Sequence, residues 1–348
     1  MIGATRISLG GGLHGRIFCD VISLENLFIA WNEFRRGKTK KKDVINFALN
    51  LEDNIFKLKD DVEREKWESE PYKSFYINDP KLRHIHKASV RDRVLYQAVY
   101  RVLYKFFDKQ FIFDVYSSRN SKGTHLGIKR LESFLRKSSE NYTKQTFVLK
   151  CDVRKFFDSI DHQVLLKVLK TQIEDEMLLR LLEKIIKSFE KTRNKGIPLG
   201  NVTSQLFANI YMNSFDWFVK KILKIKYYVR YCDDFVIVDQ NREYLNKLIS
   251  KLSVFLKENQ KLTLHPDKIT IRNISQGVDF LGYVILPHRI SIRTRTKKRI
   301  IRKFSKSIEA RSPEVLINQT LASYVGHLSH ARSYKVVRIL KGIKYCTT

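Results

Sequence analysis

KYYVRYCDDFVIV, residues 226–238, sets β-branched and aromatic runs on either side of Cys232, Asp233 and Asp234. Two such runs flanking a tight polar point predict a β-hairpin with the acidic pair at its turn. Upstream, TFVLKCDV at 146–153 predicts a buried strand that ends on a carboxylate, Asp152. Asp152 can meet Asp233 and Asp234 only if the two strands lie side by side. Three carboxylates gathered at one point are unfavourable unless cations neutralise them, and hard oxygen ligands suit Mg2+. Two such ions can clamp the attacking and leaving oxygens of an in-line phosphoryl transfer. Asp158 and Asp161 are near in sequence, but helix capping and surface charge explain both better.

Working outward, the pattern alternates between helices and short strands. Leu24 to Phe34 predicts a short helix, followed by the basic loop RRGKTKKK at 35–42. Ile45, Leu49, Leu51, Ile55 and Leu58 recur at helical spacing through 43–66, and Tyr72 to Ile77 alternates like a strand. Val90 to Phe107 is helical and runs into FFDKQFIFDVYSSR, whose aromatics read as core, before a second helix from about Gly123. A helix after Asp161 presents Val164, Leu165, Val168, Leu169 and Ile173. The loop GIPLG at 196–200 opens another, and a third covers about 243–258. LTLHPDKITI and GVDFLGYVIL supply further strands, and the basic, helical remainder from Ile290 reads as a small domain of its own. The fold class is therefore mixed α/β (α+β), with no internal repeat.

Charge narrows the partner. The 348 residues hold 66 Lys and Arg against 36 Asp and Glu, a net +30. Solubility needs only about 2 to 8 net charges on a small domain, so a polyanion, nucleic acid above all, is the expected ligand. Cys19, Cys151, Cys232 and Cys346 are far apart and form no CxxC pair, which suggests neither a zinc site nor a disulfide framework and fits reduced thiols in the cytoplasm. Even the greasy stretch Val94–Tyr116 is broken by Arg101, Lys105, Asp108 and Lys109, so no membrane partner is expected. MIGATRISLGGGLHGRIF lacks a basic head and apolar run; residues 1–20 are expected to be a flexible tail rather than a secretory signal.

At these residues a resemblance becomes explicit. YCDD at 231–234 is similar to the YxDD signature of reverse transcriptases, and LKCDVRKFFDSID at 149–161 resembles their first catalytic motif. GIPLGNVTSQ at 196–205 resembles the third motif, VDFLGY at 278–283 the primer-grip segment, and PKLRHIHKASVRDRVLYQA at 80–98 the fingers. Four motifs in the family's order are specific where a lone YxDD is weak. The resemblance implies a right-hand polymerase: fingers over 21–145, a palm of antiparallel sheet plus helices over 146–288, and a helical thumb over 289–348. Its reaction is synthesis of DNA from dNTPs on an RNA template.

Within that family, Pro198, Leu199 and Gly200 followed by Ser204 and Gln205 lack the usual Gln and end in SQ. This resembles the enzymes of diversity-generating retroelements, which copy a template-repeat RNA with frequent errors opposite adenine. LASYVGHLSHARSY at 321–334 looks like their thumb. One rival is a group II intron-like or phage-defence reverse transcriptase. The other is a catalytically silent RNA-binding relative, against which the intact Asp152, Asp233 and Asp234 argue.

The resemblance also implies roles. Asp152 and Asp233 are the principal ligands of two Mg2+ ions, with Asp234 the third carboxylate. Lys268 stands where a lysine can protonate departing pyrophosphate. Phe157 matches the steric gate that excludes a 2'-hydroxyl; ordinary core packing is its alternative. Leu199, Gly200 and Gln205 line the nucleotide pocket. Arg83, Arg91 and Arg93 match fingers positions that meet triphosphate or template, with surface ion pairing as the alternative for Arg91. Gly282, Lys297, Lys298 and Arg299 fall on primer and template. The implied partners are template RNA, primer, cDNA, dNTPs and a small basic accessory protein forming a ring-like oligomer.

Overall fold

The computed structural model describes residues 16–78 and 82–345. Helices α1 (Arg16–Ile22), α2 (Leu24–Arg35), α3 (Lys42–Leu49) and α4 (Leu51–Glu63) precede strands β1 (Lys73–Asn78) and β2 (Leu82–Lys87). Then come α5 (Val90–Phe107), α6 (Thr124–Ser138), β3 (Phe147–Asp152), the single turn α7 (Phe156–Ser159), α8 (His162–Gln172), α9 (Glu176–Lys187) and α10 (Val202–Trp217). Strands β4 (Tyr228–Tyr231) and β5 (Asp234–Asp239) lead to α11 (Arg242–Gln260), β6 (Thr270–Asn273), β7 (Val278–Phe280), β8 (Tyr283–Leu286) and β9 (Arg289–Ile292). Helices α12 (Thr294–Glu309), α13 (Glu314–Leu328) and α14 (Tyr334–Tyr345) follow.

These elements form two compact units of interleaved segments. The first holds the chain up to residue 113 with 153–224 and 251–265; the second holds 114–152, 225–250 and 266 onward. These divisions cut across the linear boundaries expected at 145 and 288.

In the first unit α5 is the central helix. Ser89 caps it by accepting from the Asp92 N–H, and Val94, Leu95, Ala98 and Val99 are buried. Asp92 is itself fully buried, which is tolerable because its carboxylate accepts from Trp67 Nε1 at 3.1 Å and from the Glu70 N–H at 2.9 Å. Strands β1 and β2 pair antiparallel, Ile77 opposite Arg83.

The sequence expectations need correction at three places here. Residues 1–15 of the expected tail lie outside the described residues, but 16–20 are helical. The helical spacing over 43–66 resolves into two helices, broken at Asn50. Helix α9, begun by Asp175 accepting from the Leu178 N–H, and the exposed strand β2 were not anticipated.

The second unit carries the antiparallel sheet β4-β5-β3-β6 and the three-stranded sheet β7-β8-β9. Strand β3 meets β5 with Asp152 opposite Asp234. Leu131 and Leu135 of α6 share one apolar cluster with Val148, Val236 and Tyr283. Ile300, Phe304, Leu328 and Leu340 of the last three helices join the same cluster, so the segment from Ile290 has no separate core. Among the described residues, no helix is long and apolar enough to cross a membrane.

The β4–β5 connection is two residues, Cys232 and Asp233, and Cys232 adopts φ +58°. That left-handed conformation is uncommon for a residue with a Cβ and must be held from outside. It is clamped twice: the Cys232 N–H donates to Ser117 Oγ at 2.8 Å, and its carbonyl accepts from Arg230 Nη1 at 2.9 Å. Arg230 is fully buried. Arg230→Met is expected to leave that carbonyl unsatisfied and destabilise the protein by about 2 to 4 kcal/mol. Urea denaturation measures this, and an unchanged midpoint would refute the clamp.

Candidate active site

The strand ends bring the three predicted carboxylates together within the second unit. Asp152 closes β3, Asp234 opens β5 directly opposite, and Asp233 precedes it in the turn. Burial raises the pKa of Asp233, and the neighbouring Asp152 charge raises it further. Burial likewise pushes Asp234 up to about 6, reinforced by Asp152 and Asp233 and opposed by Lys150. The thiol of Cys151, between Lys150 and Asp152, is pushed up to about 12 by burial and by the charges of Asp234 and Asp152.

Two lysines face this charge. Lys268 Nζ lies 2.7 Å from Asp152 Oδ1, and Lys150 Nζ lies 3.2 Å from Asp234 Oδ2. As placed, among the described residues no three His, Cys, Asp or Glu side chains form a group able to hold an ion; two of the carboxylates are turned onto lysines instead. The donor set still suits a hard divalent cation, because it is all carboxylate oxygen and Asp234 Oδ1 is buried with no hydrogen-bond partner among the described residues. Lys268 was expected here from the sequence. Lys150 was not, although period-two alternation puts it on the face of β3 that carries Asp152.

The other predicted residues fall in two groups. In the first unit, Phe156 is buried while its neighbour Phe157 is only half-buried, so the core role belongs to Phe156. The Ile197 N–H donates to the Phe157 carbonyl at 2.9 Å, and the His86 N–H to the Leu199 carbonyl at 3.4 Å. These bonds lace α7, β2 and the loop 196–200 together. Gly200 sits at φ +115°, where a side chain would be strained, and a Cβ there would touch Ile85. Arg83 and Gln205 are exposed.

Arg91 and Arg93 are engaged elsewhere, each in an ion pair. Arg91 reaches Asp61 at 2.7 Å, and Arg93 reaches Asp43 at 2.9 Å with the Phe34 ring beneath it. Both tie α5 to neighbouring helices. Asp161 caps α8 through the Val164 N–H and pairs with Lys261, the structural role expected of it.

In the second unit Gly282, at φ +93°, turns β7 into β8, and its carbonyl accepts from the Arg293 N–H at 3.2 Å. Lys297, Lys298 and Arg299 lie in the first turns of α12, Lys298 exposed and the other two half-buried.

The raised pKa of Asp234 has a definite sign in stability. A folded-state pKa above the ordinary carboxylate value gives a contribution intact at low pH and lost as pH rises through about 6. At pH 7.5 the ionised side chain therefore weakens the metal-free fold. Asp234→Asn is expected to stabilise it there by about 1 to 3 kcal/mol, the gain vanishing below pH about 4. Thermal unfolding in EDTA across that range checks this; a less stable mutant at pH 7.5 refutes it.

Comparison with known proteins bears on the same residues. A family model described as reverse transcriptase (RNA-dependent DNA polymerase) matches residues 77–285. Protein YkfC of Escherichia coli (strain K12) is 25% identical over 288 residues, covering 71% of this chain and 74% of that protein. The group II intron-encoded protein LtrA of Lactococcus lactis subsp. cremoris is 23% identical over 335 residues, 75% of this chain and 54% of its own length. The putative COX1/OXI3 intron 2 protein of Saccharomyces cerevisiae is 22% identical, covering 91% of this chain and 45% of that protein. The chain thus spans about half the length of these intron-encoded relatives. Among solved structures, telomerase from Candida albicans in complex with a fragment of telomeric RNA is 13% identical with a TM-score of 0.48, covering 80% of this chain and 60% of that one. The family match takes in more than half of the sequence, including both strand ends that carry Asp152, Asp233 and Asp234, and the chain belongs to the reverse transcriptase (RNA-dependent DNA polymerase) family.

Proposed function

We propose that the chain extends a primer by two-metal-ion nucleotidyl transfer, copying RNA into DNA at the Asp152, Asp233 and Asp234 site. The observation that carries this is the β3–β5 register, which sets Asp152 across from Asp234 at the mouth of a two-residue turn. The family uses divalent metal ions; Asp152 and Asp233 would hold two Mg2+ ions here, which supply Lewis-acid stabilisation of the attacking and leaving oxygens. Lys268 carries a proton to the departing pyrophosphate, a role that suits an ammonium that donates to Asp152 and whose side chain is 39% exposed. Phe157 excludes a 2'-hydroxyl, and Arg83 meets the triphosphate or template. Lys297, Lys298 and Arg299 grip the duplex backbone, with Gly282 turning the primer-grip segment. Fingers, palm and thumb over 21–145, 146–288 and 289–348 follow from the same reading.

Asp152→Asn and Asp233→Asn should each lower DNA synthesis on a primed RNA template by about three orders of magnitude or more, the loss of several kcal/mol of charge stabilisation. RNA affinity should remain near wild type. Retention of a tenth of the activity by either variant would sink the assignment.

A finer reading places the chain among enzymes of diversity-generating retroelements, acting in the cytoplasm on a template-repeat RNA with a small basic accessory protein in a ring-like oligomer. What supports it is Leu199, which presents no hydrogen-bonding group where accurate relatives have Gln, followed by Ser204 and Gln205. A hydrogen bond contributes about 0.5 to 1.5 kcal/mol net, roughly a two- to twelvefold effect on selectivity. Leu199→Gln is expected to lower misincorporation opposite template adenine by such a factor, and more than at the other bases, as read by sequencing cDNA. Equal, low error at all four bases in the wild type would instead favour an intron-like enzyme, in keeping with the intron-encoded relatives.

A further inference from the structure

Lys150 has no role in the reaction as laid out above, yet it is anchored more firmly than Lys268. It lies two residues before Asp152 on β3, so both side chains project from one face of the sheet. Its ammonium is 3.2 Å from Asp234 Oδ2 and 3.0 Å from the backbone carbonyl of Asp279, with the Phe280 ring centroid 5.9 Å away. The side chain is 22% exposed. Lys268, by contrast, has Asp152 as its one hydrogen-bond partner among the described residues and extends from a short turn, Pro266–Lys268.

The connection continues beyond Lys150. The Asp279 carboxylate pairs with Arg293, the residue that precedes α12, and the Arg293 N–H donates to the Gly282 carbonyl. Asp234, Lys150, Asp279 and Arg293 thus form an unbroken series from the β4–β5 turn, through β7, to the start of the basic helix.

We propose that Lys150 is a positioning residue for the two-ion site: it neutralises Asp234 and ties it to β7, leaving Asp152 and Asp233 to take the ions. This rests on the polymerase reading given above. A fixed internal cation does two things that a mobile one does not. It lowers the site's attraction for divalent ions, since a positive charge stays about 3 Å from one of the carboxylates. It also holds Asp234 by Oδ2 and so fixes which of its oxygens is left to face the metal.

The test is Mn2+ binding to the nucleic-acid-free protein, followed by electron paramagnetic resonance, beside single-turnover dNTP incorporation at saturating Mg2+. Lys150→Met is expected to bind Mn2+ about three- to tenfold more tightly while incorporating nucleotide about tenfold more slowly or worse. Lys150→Arg should return both quantities toward wild type. Unchanged Mn2+ affinity in Lys150→Met overturns the proposal even if turnover falls, because a merely structural lysine would give that result. If Lys150→Met does not fold, Lys150→Gln, which keeps a donor for the Asp279 carbonyl, gives the same readout. Asp152→Asn separates the two levels. If it binds Mn2+ like wild type, the metal-site reading itself fails. If it loses Mn2+ while the Lys150 variants match wild type, only the role of Lys150 fails.

Discussion

The register in which β3 meets β5 is the constraint on which everything at the site depends. A slip of one residue would turn every side chain of β3 to the opposite face, moving Asp152 away from Asp234 and burying a carboxylate among Val148, Leu149 and Cys151. The slip is disfavoured because it would carry the half-buried Lys150 and Asp152 to the face now held by the buried Leu149 and Cys151. The two-residue turn then fixes β4 against β5, Tyr231 opposite Asp234. Arg230 and Ser117 hold the turn in a conformation that Cys232 would not keep alone. Sheet packing, turn geometry and charge placement are one problem with one solution.

That solution is electrostatically tense. Burial and mutual repulsion raise Asp233 and Asp234 together, in a protein whose net charge is +30. The excess of lysine and arginine elsewhere does not relieve it, because charges beyond about 10 Å are screened by physiological salt. Relief has to be local, and Lys150 and Lys268 provide it with different degrees of freedom. A site at ease with its own charge would have little affinity for cations; one with unrelieved charge would not stay folded around them.

Much of this was legible in the sequence, and the exceptions have physical causes. Val90–Phe107 was readable to the residue because Ser89 caps it and its apolar residues keep one period. The acidic hairpin was readable because β-rich runs flank it. Strand β2, LRHIHK, was not, since its two apolar residues, Leu82 and Ile85, stand three apart and show no period-two alternation. The break at Asn50 was hidden because α3 and α4 continue the same apolar spacing on either side. Helix α9 could have been found from Asp175, a capping residue set before a strongly amphipathic run. At the site, the acidic residues announce themselves, whereas Lys150 looks like any strand lysine until Asp234 and the Asp279 carbonyl are seen around it. The ion pairs of Arg91 and Arg93 could not have been read either, for their partners Asp61 and Asp43 lie about 30 and 50 residues away.

The interleaving of the two units has a consequence for how the protein is made. The chain passes from one to the other after residues 113, 152, 224, 250 and 265. Domains generally fold as units as they leave the ribosome, but here the early helices α1 to α5 must wait for partners as late as residue 265. The first unit therefore cannot close until residue 265 has been translated, and the second closes later still. A nascent chain that stops short of α10 leaves uncovered the face of α5 that α10 packs against.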